Sequence, residues 1–429
     1  MRKFITLFLA FAVVIAAAGC GKKAETKGEE TLRFMYWGDV SEIKIIKEQI
    51  AKFTEKTGVK VKAERAPSGP SYMEKVLTQF AGGAAPDVLF VEVNNFKKLA
   101  QKGVLQDLSP HVAANPKLNI KDFYPQIIDR FTIDNKLYVL PRDIAPICVV
   151  YYNKEIFDAA GQKYPKSSWN WFDMIRVSKK VMQRDANGKV EVFGFVDDWP
   201  LWESFVFSNG GSLVDDTQNA TKCTLDEKEA IQAIQFRSDL IHKYGIMPSP
   251  SQMTAMGGMG TSDMFVSGRV AMFYSGIWKT PSFRKIKSFG WDVVMFPKGP
   301  KGLRGFPTGG SGYSITRDCE KPELAFKLIS YLSGEEGQKK LAETGLAQPA
   351  MIHIAESKAF LDGRPPKNKR VVLEGVKYAE FMPLTRHWEN INVGMIAPAF
   401  DRIWAGKQSA REVLTDLVPQ INQEYFSEE

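Results

Sequence analysis

The chain carries nine tryptophans, and four of them stand where a flat ring could meet a ligand as well as fill a core. Trp37 closes the strand-like run Leu32–Trp37 ahead of Gly38 and Asp39, at a strand's carboxyl end, which is the crevice side of an open α/β sheet. Trp199 lies in the loop Asp197-Asp-Trp-Pro-Leu-Trp202, Trp278 follows Gly276, and Trp388 sits in Thr385-Arg-His-Trp-Glu389 at a helix start. An aromatic plane suits the apolar C–H face of a sugar ring, whose rim of hydroxyls then calls for carboxylates, amides or guanidinium forks. Such groups are close in sequence. Asp39, Asn94 and Asn95 follow strand ends, Arg142 and Asp143 are adjacent, Glu203 follows Trp202, and Arg386 and Glu389 flank Trp388. The run Gly309-Gly310-Ser311-Gly312 offers backbone amides that a ligand can approach closely. The expected ligand-binding set is therefore Trp37, Asp39, Asn94, Arg142, Asp143, Trp199, Glu203, Trp278, Gly310, Ser311, Arg386 and Trp388. For each tryptophan the competing role is core packing, and for Asp39 or Glu203 it is a helix cap or a solvated surface charge.

Other chemistries lack their residues. His111, His242, His353 and His387 are scattered, so no zinc cluster is expected and no metal or cofactor is called for. No G-x-S-x-G elbow and no phosphate-cradling G-x-x-x-x-G-K-[ST] occurs. Met253, Met256 and Met259 are three apart among glycines, a pattern that fits a mobile loop over a cleft better than a soft Cu(I) site. Tyr151 and Tyr152 lie in an apolar strand and face opposite ways, so packing is their expected role. Cys148, Cys223 and Cys319 are far apart and odd in number, which allows one disulfide at most and favours buried thiols. The rival functional class is an exported glycoside hydrolase or lyase, since carboxylates are abundant and their separation is not readable from sequence.

These side chains need a scaffold. Leu32–Trp37 reads as a strand, Ile43, Ile46, Ile50 and Phe53 as one face of a helix ended by Gly58, and Val59–Ala63 as a second strand. Ser71-Tyr-Met-Glu74 reads as a capping box opening a helix through Phe80, and Val88–Val91 as a buried strand. This alternation predicts an α/β fold with a parallel sheet covered by helices on both faces. Lys136–Pro141 and Ile147–Tyr152 read as strands around Arg142–Pro146. The same style continues with helices over 173–183, 225–244, 323–332 and 335–344, strands over 190–196 and 270–274, and a capping box at Ser409-Ala-Arg-Glu412.

The amino terminus sets the compartment. Met1–Cys20 (MRKFITLFLAFAVVIAAAGC) has a basic start, an apolar run too short to span a bilayer, and small residues ahead of a cysteine. It resembles the lipobox of bacterial lipoproteins, with Ala17 where that motif usually has leucine. The resemblance implies export, lipidation of Cys20 and a membrane anchor, with 21–30 (GKKAETKGEE) as a polar tether. Losing Arg2 and Lys3 with the signal lowers the formal charge from +8 to +6. That mild, dispersed excess is not the basic block of a nucleic-acid binder. The remaining length, about 400 residues, exceeds what one core usually serves and predicts at least two domains.

Several collinear segments together resemble the family 1 extracellular solute-binding proteins, the sugar-binding lipoproteins of ABC importers. They are Phe34-Met-Tyr-Trp-Gly-Asp39, Ala81-Gly-Gly-Ala-Ala-Pro-Asp-Val-Leu89, Leu99–Leu108, Tyr138–Pro141 with Tyr151-Tyr-Asn-Lys154, Phe265–Met272 with Gly276-Ile-Trp278, and Gly309–Gly312. The resemblance implies a periplasmic-binding-protein-like fold of two α/β lobes joined by a multi-strand hinge, with the ligand cleft between them. The expected lobes are 31–142 with 276–314, and 143–275 with 315–429. Hinge crossings are expected at Arg142–Pro146, Met272–Gly276 and Tyr313–Thr316. The four tryptophans match positions lining family sugar sites, Trp278 and Trp388 most closely. The implied protein is a monomer that captures a mono- or oligosaccharide by lobe closure without turnover. Its implied partners are two permease subunits and, through them, an ATPase.

Overall fold

The computed structural model describes residues 31–67, 70–385 and 387–427. The signal, Cys20, the tether and Arg386 lie outside the described residues.

Strand β1 (Thr31–Tyr36) runs into helix α1 (Val40–Thr57) and then strand β2 (Lys60–Arg65). The Asp39 side chain starts α1 by accepting from the Ser41 and Glu42 backbone N–H groups at 2.8 and 2.9 Å, and Gly58 ends it at φ 74°. Ile46, Ile50 and Phe53 are buried in the core, each worth about 1.5–3 kcal/mol relative to exposure. Helix α2 (Pro70–Ala81) begins at its proline, so Ser71 is inside the helix and not the cap that the sequence suggests. Strand β3 (Val88–Glu92) is followed directly by α3 (Val93–Gln101).

Helix α4 (Pro125–Arg130) precedes strands β4 (Leu140–Pro146) and β5 (Val149–Asn153). Arg142–Pro146, expected between two strands, is itself most of β4. Next come α5 (Trp171–Val181), β6 (Gln183–Arg184), β7 (Val190–Asp197), α6 (Trp202–Ser208), α7 (Lys228–His242), α8 (Pro250–Ala255), β8 (Val270–Ser275) and β9 (Trp291–Met295). Strand β10 (Phe306–Ile315), helices α9 (Pro322–Ser333) and α10 (Glu335–Thr344), strand β11 (Ala379–Phe381), and helices α11 (Ala397–Trp404) and α12 (Ala410–Tyr425) follow. Among the described residues no helix is long and apolar enough to cross a membrane.

Two sheets organise these elements, as an α/β two-lobed fold requires. The first has the order β11-β10-β3-β1-β2, with β4 also on β10. The second has the order β9-β5-β8-β7-β6. β1 is parallel to β2 and β3, but β10 enters antiparallel to β3 and β4 because the chain returns from the second sheet to reach it. In the second sheet only the β7–β8 pair is parallel. The sheets are thus mixed, not wholly parallel.

The division of the chain between sheets departs from expectation. β9 belongs to the second sheet through β5, although 276–314 is expected in the first lobe. Helices α9 and α10 pack on α1, β4 and β10 of the first, although 315–429 is expected in the second. The chain therefore passes between sheets after β4 and between β9 and β10, and after β11 it returns to the second lobe, where α11 and α12 pack on α7. Met272–Gly276 and Tyr313–Thr316 are not crossings, since β8 and β9 share one sheet and β10 stays in the other. Periodicity reports that a strand is buried; it does not report which strand hydrogen-bonds to it.

The glycines of β10 serve the sheet. A Cβ at Gly312 would stand 2.2 Å from the Leu140 carbonyl oxygen, and one at Gly310 2.6 Å from Ile127 Cδ1.

Candidate functional site

A cavity of about 330 Å³ is lined from both lobes. The first lobe supplies Glu92 at the end of β3, Asn94 and Lys98 on α3, Arg130 at the end of α4, and Thr308 on β10. The second supplies Trp199 and Leu201 from the turn between β7 and α6, and Glu203 from the first turn of α6. The segment leaving β11 adds Met382, Leu384, Trp388, Glu389 and Asn392. Strand ends and helix starts thus converge here, as they do at the crevice of open α/β sheets.

Several of the polar groups are buried and incompletely paired. Glu203 is 7% exposed, its Oε2 has no hydrogen-bond partner, and burial pushes its carboxyl up to about 7. Burial, reinforced by the nearby Glu42 and Asp143 carboxylates, pushes Glu92 up to about 8. Trp37 Nε1 is buried beside Glu92 with no partner in normal hydrogen-bond geometry. Arg130 is 3% exposed; its Nη2 donates to the Met382 carbonyl at 2.5 Å, while Nε and Nη1 are unpartnered. Its guanidinium lies 5.0 Å from the Phe381 ring centroid, and burial lowers its pKa to about 10. Lys98 and Glu389 join the lobes by an ion pair of 3.3 Å.

Two tryptophans give the cavity its aromatic surface. Trp388 is 9% exposed, whereas Trp199 is 45% exposed and stacks on Trp278 with centroids 6.2 Å apart and planes 13° from parallel. Trp278 packs in turn against Ile45 of α1, Leu341 of α10 and Leu346. Its ring folds over Gly276, where a Cβ would fall 1.9 Å from a ring carbon.

Beneath the cavity in the first lobe runs a second polar network. Arg142 donates from Nη1 to Glu42 at 2.6 Å and from Nε to Asp143 at 2.8 Å. Asp143 also accepts from the Ser311 N–H at 3.0 Å and hydroxyl at 2.8 Å. The Arg142 guanidinium covers the Phe90 ring at 4.7 Å. This network ties α1, β4 and β10 together.

Of the expected ligand-binding residues, Asn94, Trp199, Glu203 and Trp388 line the cavity. Asp39 does not; its carboxylate is engaged in capping α1. Arg142, Asp143 and Ser311 are outside it because they satisfy one another in the network below. Gly310 is outside, on a side where a Cβ would meet Ile127, leaving Pro307, Thr308 and Gly309 as the β10 residues at the wall. Trp37 packs edge-on to Phe90 at 5.9 Å, and Trp278 supports Trp199 from behind. Sequence reasoning passed over Glu92, Lys98, Arg130 and Thr308. Glu92 carried a usable signal, a carboxylate ending an apolar strand; Arg130 carried none.

Among the described residues no group of three or more His, Cys, Asp or Glu side chains is placed to hold a metal ion. Cys148, Cys223 and Cys319 are buried free thiols. Tyr151 is buried and donates to the Gly276 carbonyl at 2.9 Å, a packing role.

The family of bacterial extracellular solute-binding proteins matches residues 37–339. The arabinooligosaccharide-binding protein of Halalkalibacterium halodurans is 28% identical over 291 residues, covering 66% of this chain and 62%, under two thirds, of that relative. The maltodextrin-binding protein MdxE of Bacillus subtilis is 23% identical over 352 residues, 80% of this chain and 78% of the relative. An ABC substrate-binding protein of Listeria monocytogenes, solved with cycloalternan, superposes with a TM-score of 0.82 at 26% identity, covering 92% of this chain and 99% of that one. Maltose-bound MalE3 of T. maritima, at 19% identity and a TM-score of 0.78 with the same coverage, shares the fold.

Proposed function

The chain belongs to the bacterial extracellular solute-binding proteins, and on that premise we propose that its interlobe cavity captures a carbohydrate, an oligosaccharide in particular, for an ABC importer. One observation carries this reading: Trp199 and Trp388 present aromatic surface to a cavity whose polar groups, Asn94, Arg130 and Glu203 among them, come from both lobes. Rings stack on sugar C–H faces, while a carboxyl and a guanidinium fork orient hydroxyls. A ligand touching both lobes is held by both only when they are closed, so binding favours closure. Closed lobes then present one surface to a two-subunit permease served by an ATPase.

The names of the relatives support this class of ligand, one binding arabinooligosaccharide and another maltodextrin. The protein acts as an exported monomer, held at the membrane by a lipidated Cys20 through the 21–30 tether, with lobes that open and close about the three interlobe passages. It binds without turnover. Calorimetric titration with maltooligosaccharides and arabinooligosaccharides, disaccharide to hexasaccharide, tests the reading, with saturable one-to-one binding expected in one series. The appearance of new reducing ends during incubation would instead make the protein a glycoside hydrolase or lyase. Mass spectrometry of the membrane-extracted protein tests the anchor: a diacylglyceryl group on Cys20 is expected, and an unmodified Cys20 would end the tethering claim.

A further inference from the structure

Charge is not spread evenly over the second lobe. The exposed charges of α12 are mostly acidic, with Arg411 beside Glu412, Asp416 and Glu424. Those of α5 are the reverse. Phe172, Arg176 and Lys180 stand four residues apart and form one exposed stripe along that helix, with Lys179 alongside. Arg176 and Lys180 line a shallow groove of about 480 Å³, together with Lys163, Tyr164 and Lys166 from the exposed segment that leads into α5. The carboxylate of the groove, Asp173, is already engaged: it closes the capping box with Asn170 and pairs with Arg176 at 2.8 Å. Among the described residues no carboxylate stands within ion-pair distance of Lys163, Lys166 or Lys180. Lys179 and Lys243 add further positive charge, their ammonium groups lying 5.4 and 5.5 Å from the Tyr244 ring centroid.

Within this basic face Phe172 is 62% exposed and Tyr164 38% exposed. Cations that frame exposed aromatic rings match a surface that is negative outside and apolar just beneath, which is the profile of an anionic bilayer. We propose that this face of the second lobe rests on anionic phospholipid, its lysines and Arg176 at the level of the phosphates and the Phe172 ring at the boundary between headgroups and acyl chains. The 21–30 tether spans at most about 33–36 Å when extended. A body held that close to a bilayer by a lipidated Cys20 meets it at high effective concentration, so that weak contacts are occupied. The inference does not depend on what the interlobe cavity binds.

Sedimentation with vesicles of the mature chain carrying Cys20→Ser, which cannot be acylated, tests it. Vesicles of phosphatidylcholine with about 30% phosphatidylglycerol should retain the protein, pure phosphatidylcholine should not, and about 0.5 M salt should release it. Lys166→Gln and Lys180→Gln should each weaken retention about fivefold. Lys52→Gln on α1 and Lys339→Gln on α10 remove the same charge from exposed positions of the first lobe and should leave retention within about twofold. Phe172→Ser should weaken retention without changing its dependence on salt. Equal retention by neutral and anionic vesicles, or equal losses in the second-lobe and first-lobe lysine variants, would overturn the proposal. So would no retention by either vesicle, which would leave an acidic protein as the partner of this face.

Discussion

Lys98 on α3 of the first lobe and Glu389, in the segment leaving β11, meet at 3.3 Å beside the interlobe cavity. Each side chain is 37% exposed, so the pair is worth only about 0.2–1 kcal/mol and weakens with salt. It is nevertheless a contact made only with the lobes together. Lys98→Ala should shift the unliganded protein toward open lobes, seen as a larger radius of gyration in small-angle scattering. Raising the salt concentration should shift the parent protein in the same direction and leave Lys98→Ala unchanged.

The Trp199–Trp278 stack separates two roles. Trp199 faces the cavity, so Trp199→Ala should weaken carbohydrate binding by about 1–3 kcal/mol, set mainly by lost apolar contact. Trp278 acts from behind, packed on Ile45, Leu341 and Leu346. Trp278→Ala should cost less affinity and more stability, measured by calorimetry and thermal unfolding. Gly276→Ala should resemble Trp278→Ala, because its Cβ would occupy the space of the indole ring.

These tryptophans also show what was legible in the sequence. Helix α10 and its αL cap at Gly345, the capping box at Ser409 and strand β8 follow from periodicity and cap residues that lie within one segment. Trp199 and Trp388 stood out because each interrupts a polar loop or opens a helix. The role of Trp278 depends on Ile45 of α1 and Leu341 of α10, remote in sequence on either side, and that of Arg130 on Met382. Such partners are set by tertiary packing, which local patterns do not encode. The same applies to β9, which the sequence does not mark as a strand and whose partner β5 is remote in the chain.

Glu203 makes the protein sensitive to pH. Burial raises its carboxyl from the ordinary 4.5 to about 7, so between those values the native state holds a proton that the unfolded chain releases. The stabilisation is complete below about pH 4.5 and disappears as the pH rises through about 7. Glu203→Gln should be more stable than the parent at pH 8 by roughly 2–3 kcal/mol and equal to it near pH 4. Denaturant unfolding across that range measures the difference. Glu92, pushed up to about 8, extends the same trend upward and should remain in the variant.

The buried Arg142 network predicts a stability effect away from the cavity. Arg142→Met removes the partner of both Glu42 and Asp143, leaving buried carboxylates uncompensated. Breaking such a pair typically costs about 3–5 kcal/mol. Substituting Glu42→Gln, which keeps a hydrogen-bonding group and removes a charge that burial already disfavours, should cost markedly less. Chemical denaturation compares the two.

The central claim is that Trp199, Trp388 and the polar groups between the lobes form a carbohydrate site that binds and does not cleave. Calorimetric titration of the mature protein with both oligosaccharide series, run in parallel on Trp199→Ala and followed by chromatography of the recovered ligand, tests it most directly. The account predicts saturable one-to-one binding in one series, a loss of about tenfold to a hundredfold in Trp199→Ala, and ligand returned unshortened. Absence of binding in both series, an affinity indifferent to Trp199, or shortened saccharide would contradict it.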